Sequence, residues 1–165
     1  IIEDMLLGTI DLGFTRPSFT AVMPKTLKAI PVYEDHLMLV LPLDHPLAAG
    51  SGPIPIGALK DESFVLRPRG SGTGFYEQVF DMCAEAGFSP QIAQEAVEAT
   101  TTIGLIAAGV GVTIAPEALR RINVQGVVWR DLADTNVKSR IYLIHNRANT
   151  NPIRDRFIER FPPVA

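Results

Sequence analysis

The apolar positions fall into short runs parted by clusters of glycine, proline and small polar residues, and the spacing within the runs alternates between two kinds. Compact apolar or β-branched runs at residues 10–14, 63–66, 91–95, 111–115, 124–129 and 140–145 read as strands. Residues 27–33 and 37–41 read as two more, or as one long strand kinked at the polar Glu34-Asp-His36. Helical spacing shows first at Tyr76, Val79, Phe80, Cys83 and Ala86, which predicts an amphipathic helix over 75–86 that Gly87 ends. Residues 100–108 predict a helix of small and β-branched residues closed by Gly109. Residues 116–121 predict a short one opening on proline. Residues 151–161 predict a last one, with Ile153, Phe157, Ile158 and Phe161 on its apolar side. Residues 1–8 read as the final two turns of a helix stopped at Gly8. Residues 43–55, rich in Pro, Gly and Ala, read as a loop, and 56–60 as a single helical turn. Arg67-Pro-Arg-Gly-Ser-Gly-Thr-Gly74 is a glycine-rich turn joining a strand to the 75–86 helix. Strands parted by helices in this rhythm predict an α/β architecture with mainly parallel sheets. Right-handed crossovers would then gather strand C-termini and helix N-termini on one side, where ligands bind.

Composition narrows the function classes. At 165 residues and 47% hydrophobic content the chain is large enough for one packed domain or two small lobes. A net charge of −3 and a pI of about 5.6 argue against direct nucleic-acid binding by this chain, because phosphate neutralisation requires a basic surplus. One cysteine, Cys83, allows no internal disulfide and fits a reducing cytoplasm. No apolar run approaches the roughly 20 residues of a membrane span, so no membrane role is expected.

The candidate chemistry lies at the ends of strands. Arg16 follows the run Ile10, Leu12, Phe14 and is either a surface arginine or a guanidinium set to make paired bonds to a carboxylate. The turn at Gly70–Gly74 precedes a helix whose free N–H groups attract anions. Ser71 and Thr73 add hydroxyls, Thr73 as a possible cap, and the plain alternative is a tight turn that needs glycine. The spacing is neither GxGxxG nor a phosphate loop. Phe75 is read as a stacking surface for an apolar ligand or as core. Thr100-Thr-Thr102, opening the next helix, is a second anion-binding end or a capping cluster. His36, His45 and His145 lack metal-ligand spacing, and neither GxSxG nor HExxH occurs. Cys83 reads as core. Glu95 and Glu98 flank a strand end without forming an arguable catalytic pair. No catalytic residue, metal or cofactor is therefore expected.

Leu7-Gly-Thr-Ile-Asp-Leu-Gly-Phe14, Glu34-Asp-His-Leu-Met-Leu-Val-Leu-Pro42, Asp44-His-Pro-Leu-Ala48, Gly87-Phe-Ser-Pro90 and Gly104-Leu-Ile-Ala-Ala-Gly-Val-Gly-Val-Thr-Ile-Ala-Pro116 form an ordered set covering nearly the whole chain. The set resembles the effector-binding domain of LysR-type transcriptional regulators. The segment from Ser63 to Gly87 is similar to the regulators of aromatic-compound catabolism. The resemblance implies a type 2 periplasmic-binding-protein-like fold, with two Rossmann-like lobes joined by two crossover strands and an effector in the cleft between them. Residues 1–36 with 137–165 would form the first lobe and residues 37–136 the second. The first lobe would be truncated at its N-terminus, and the DNA-binding helix-turn-helix would be absent from this chain.

The implied function is to sense a small organic acid, of the kind of an aromatic acid or a muconate-like dicarboxylate, and to pass the signal to DNA binding. Carried over residue by residue, the family's effector contacts fall on Arg16, Ser71, Thr73, Gly74, Phe75 and Thr100. The implied partners are a carboxylate effector and further copies of the protein in a dimer or tetramer. DNA would be contacted only through the missing N-terminal domain. The helix near 75–86 and the strand near 91–95 would pack on the partner's first lobe. The location would be cytoplasmic. The rival readings are a free-standing solute-binding protein of the same fold and, behind it, an α/β enzyme.

Overall fold

The computed structural model describes residues 1–16, 23–70, 74–133 and 136–164. The chain divides into two compact units, Ile1–Glu34 with Ser139–Ala165, and Asp35–Lys138.

The larger unit, Asp35–Lys138, is built on a strand buried on both sides. Strand β2 (Leu27–Pro42) enters it at Asp35, and every residue from Leu37 to Pro42 is buried. Successive side chains point to opposite faces, so Leu37, Leu39 and Leu41 join one core while Val40 joins another. Strands β3 (Ser63–Leu66) and β5 (Thr113–Pro116) divide in the same way. Phe64, Leu66 and Ile114 lie on the first face, Val65 and Ala115 on the second. Helix α2 (Phe75–Glu85) covers the first face with Phe75, Val79, Met82 and Cys83. Helix α3 (Ala99–Ala107) supplies Ile106 and the flanking Leu105 to the second. The result is helices on both faces of a sheet, and this is why the strands read as apolar runs rather than alternating ones.

Pairing departs from the expectation of mainly parallel sheets. Strand β2 pairs antiparallel with β5 (Leu39↔Ile114) and with β6 (Val127–Asp131; Val40↔Trp129). Strands β3 and β4 (Gln91–Glu95) run parallel, with β5 touching β3 in the same sense at Phe64↔Val112. Helical crossovers enforce parallel order only between the strands they directly join, and β2 reaches the unit from outside that series.

The polar loop after β2 is held from within. Arg130 on β6 is buried, and its guanidinium donates to five carbonyls. Nη1 reaches Leu47 at 3.4 Å, Ala48 at 3.0 Å, Ala49 at 3.2 Å and Gly50 at 2.7 Å, while Nη2 reaches Gly52. His45 adds a second tie. Its Nδ1 accepts from the Leu47 N–H at 3.1 Å and its Nε2 lies 3.2 Å from Glu62 Oε2.

In the smaller unit, β1 (Leu12–Thr15) pairs antiparallel with β7 (Lys138–Asn146), Leu12 facing His145 and Thr15 facing Tyr142. Met5 of α1 (Ile2–Leu6) packs with Leu27 and Ile144 to make the core. Helix α4 (Pro152–Ile158) is capped by Asn151, whose Oδ1 accepts from the N–H groups of Ile153 and Arg154.

Candidate functional site

The candidate site in the larger unit is the carboxyl edge of the β3–β4 pair. The strands run parallel with Leu66 opposite Glu95, and Ala96 N–H donates to the Leu66 carbonyl at 2.9 Å, so the chain leaves both strands at the same edge. Each connection must then return to the start of the next parallel strand. That requires α2, after β3, and α3, after β4, to begin at this edge.

Neither helix start carries a side-chain cap from its N-cap residue. For α2 that residue is Gly74, in the left-handed region at φ 61°, where glycine is the residue of choice. For α3 it is Glu98, extended at φ −90° and ψ 135°. Free N–H groups and the positive end of the helix dipole favour negative charge at both starts. At α3 the N-cap is itself acidic. The β3–α2 half has no such carboxylate at its cap and carries Arg67 and Arg69 instead.

These two arginines behave differently. Arg69 is exposed and lies 3.9 Å from Glu77 Oε1. Arg67, immediately after β3, has an Nε that is buried and, among the described residues, without a hydrogen-bond partner.

Of the residues expected from sequence to bind a ligand, Gly74 stands at the α2 start and Thr100 is exposed on the first turn of α3. These two the fold brings to one edge. Thr102, not Thr100, is the hydroxyl that serves α3 internally, donating to the Glu98 carbonyl at 3.2 Å. Phe75 opens α2, is 9% exposed and packs in the core cluster. Ser71 and Thr73 lie outside the described residues. Arg16 is in the smaller unit, just past β1, half-buried, with its Nε donating to the buried Ser139 hydroxyl at 2.7 Å. Sequence reasoning placed Arg67 in the turn without giving it a role. Its one legible signal was an arginine at the end of an apolar strand, the same signal that drew attention to Arg16.

The nucleophilic and metal-ligating residues are occupied elsewhere. Cys83 is fully buried, and burial pushes its thiol up to about 11. His145 is buried and its imidazole is held below the ordinary histidine range, chiefly by desolvation. Among the described residues no group of three or more His, Cys, Asp or Glu could hold a metal ion, and no helix is long and apolar enough to cross a membrane.

Residues 1–162 match the family model of the LysR substrate binding domain. The HTH-type transcriptional regulator CatR of Pseudomonas putida is 32% identical over 155 residues, covering 94% of this chain and 52% of the relative. AlsR of Bacillus subtilis, another HTH-type transcriptional regulator, is 30% identical over 158 residues, covering 94% and 50%. The chain thus spans about half the length of the curated relatives it matches. Among solved structures, full-length CbnR complexed with its target DNA superposes with a TM-score of 0.82 at 26% identity, over 97% of this chain and 54% of that one. The effector-binding domain of QuiR in complex with shikimate gives 0.82 at 20% identity, over 96% and 73%. The fold is therefore the two-lobed, periplasmic-binding-protein-like fold of effector-binding domains.

Proposed function

The chain belongs to the LysR substrate-binding domain family, and from that premise we propose that it is the effector sensor of a transcriptional regulator, responding to a small organic acid. The observation that carries the reading is the shared carboxyl edge of β3 and β4, where two helices start without a side-chain cap from their N-cap residues. Such an edge offers neutral N–H donors and partial positive charge, which suits a carboxylate. Gly74, the Phe75 backbone and Thr100, with Ser71 and Thr73 of the same turn, are the proposed contacts in the larger unit. Arg16 is the proposed clamp in the smaller one, its guanidinium oriented by the bond to Ser139. The shikimate-bound QuiR domain lends support, since shikimate is an organic acid.

An acid that favours one arrangement of the sensor shifts its population by its differential affinity, and coupling of about 1–3 kcal/mol is typical of such switches. In the intact protein the proposal places self-association on α2 and β4. There Tyr76 and Phe80 stack half-buried at 4.3 Å, and among the described strands β4 pairs with β3 alone. The location is proposed as cytoplasmic, with DNA contacted through another part of the protein.

The test is a thermal-shift screen of aromatic acids and muconate-like dicarboxylates on the intact protein. At least one acid should raise the melting temperature increasingly with concentration, and Arg16→Ala should weaken that response. A flat response to the whole panel would reject the organic-acid reading, and an unchanged response in Arg16→Ala would reject the clamp.

A further inference from the structure

Lys138 is the last residue of the larger unit and Ser139 the first of the segment that returns to the smaller one. Each is held by a side chain of its own unit, and we infer that this junction couples the α2 start to Arg16, with Gln78 and Ser139 as positioning residues of the candidate site. The inference rests on the organic-acid reading above and adds how the proposed contacts respond to one another.

The larger unit holds the junction through α2. Gln78 is 6% exposed and shares the buried side of the helix with Phe75, Val79 and Met82. A buried amide without a partner is costly, so a glutamine in apolar company needs a bond. Its Nε2 donates to the Lys138 carbonyl at 3.1 Å. Its backbone N–H donates to the Gly74 carbonyl at 3.1 Å and closes the first turn of α2 on one of the proposed contacts. The smaller unit holds the next residue. Ser139 is 1% exposed, and its hydroxyl accepts from Arg16 Nε at 2.7 Å, a charge-assisted bond. Each bond lies within one unit, and the peptide from Lys138 to Ser139 joins them covalently.

The two bonds cannot move independently. The oxygen that Gln78 holds and the Cα of Ser139 belong to one peptide group, and a peptide group is a rigid plane. A turn of that plane that follows Gln78 carries the Ser139 Cα with it, and so the acceptor of Arg16. An acid that settles the first turn of α2 therefore changes how the guanidinium is held. Linkage makes the reverse equally true: a change at Arg16 reaches the α2 start. The other passage between the units is held differently. There Asp35 accepts from the Ala118 N–H at 2.9 Å, and Arg140 Nε donates to Glu34 at 2.6 Å. Neither Ala118 nor Arg140 belongs to the candidate site, so the Lys138–Ser139 junction is the passage that joins two proposed contacts.

The experiment uses the intact protein as wild type, Gln78→Leu, Ser139→Ala and Ile106→Ala. The last opens a cavity in the other core of the larger unit and reports a general loss of stability. Hydrogen exchange read by mass spectrometry, without ligand, follows local opening in each segment. Relative to Ile106→Ala, Gln78→Leu should speed exchange in residues 12–16 of the smaller unit by about fivefold or more, and Ser139→Ala should do the same for residues 75–80 of α2. Effects that stay within the substituted unit, or that run one way only, would overturn the coupling, since linkage is reciprocal. Calorimetry with benzoate and cis,cis-muconate forms the second arm. An acid that binds wild type should bind Gln78→Leu about fivefold more weakly or worse, although Gln78 is not a proposed ligand contact. Undiminished affinity would overturn the positioning role of Gln78 and leave the organic-acid reading in place. Reciprocal exchange effects in a protein that binds neither acid would support the coupling and overturn the organic-acid reading.

Discussion

A Cβ placed on Gly111 would collide with the Ser63 carbonyl oxygen and stand 2.9 Å from its carbon, both backbone atoms that no side-chain rotation can move aside. The closeness follows from how β5 joins β3. Val112 N–H donates to Ser63 O at 2.8 Å, Val65 N–H donates to Val112 O at 2.9 Å, and the residue before Val112 is pressed against the neighbouring strand. Gly104, in the middle of α3, has nothing within 4 Å of the same hypothetical atom. Gly111→Ala should therefore cost about 3 kcal/mol in denaturant unfolding. Gly104→Ala should be neutral or stabilise by about 0.5–1 kcal/mol, since alanine loses less backbone freedom in a helix. Equal effects from the two substitutions would contradict the strand approach described. From sequence the two glycines are alike, seven residues apart in one apolar stretch. What separates them is a contact with a residue nearly fifty positions earlier, and no local pattern carries that.

Helix α2 shows where periodicity is a good guide and where it stops. Val79 and Cys83 are buried, as the helical spacing predicts, whereas Tyr76 and Phe80 are only half-buried and Met82 takes the core position beside Cys83. Gln78 breaks the polar rule: it is 6% exposed, and its Nε2 donates to the Lys138 carbonyl at 3.1 Å. The bond ties the helix that opens at the candidate site to the first residue of β7. Gln78→Leu keeps the volume and removes the bond, so it should lower stability by about 1–2 kcal/mol in urea titration, with Gln78→Ala lower still. A leucine variant as stable as wild type would show the bond to be idle. Element positions were legible because apolar spacing is local. Pairing was less so: the alternation of strands and helices suggested parallel order, yet β2 pairs antiparallel with β5 and β6 because its entry into the unit is set outside that alternation. At the candidate site the turn and the helix starts could be read from glycine and threonine positions. The unsatisfied nitrogen of Arg67 could not, since satisfaction is a property of three-dimensional neighbours.

For the molecule as a whole, the ordered motifs led to the right family, and the residue types alone led only to α/β. Two compact units are made from three chain segments, and β2 contributes to both, giving Leu27 to one core and Leu37, Leu39 and Leu41 to another. Residues 43–55 look, from composition, like the place where such a chain is easiest to cut: proline, glycine, serine and alanine at the surface, the composition that proteases prefer in loop tips. Arg130 changes that forecast. A protease must draw several residues into extended form before cleaving, and here the carbonyls of Leu47, Ala48, Ala49, Gly50 and Gly52 are all fastened to one guanidinium. The fold thus makes nicking of this loop a matter of releasing one side chain. A broad-specificity protease should leave residues 47–52 intact in the native protein, and Arg130→Lys, whose ammonium has three donors and no planar fork, should open that segment to cleavage at least tenfold faster. Mass spectrometry of the first fragments would locate the cut, and a first cut elsewhere in the variant would show that the loop keeps its order without the arginine.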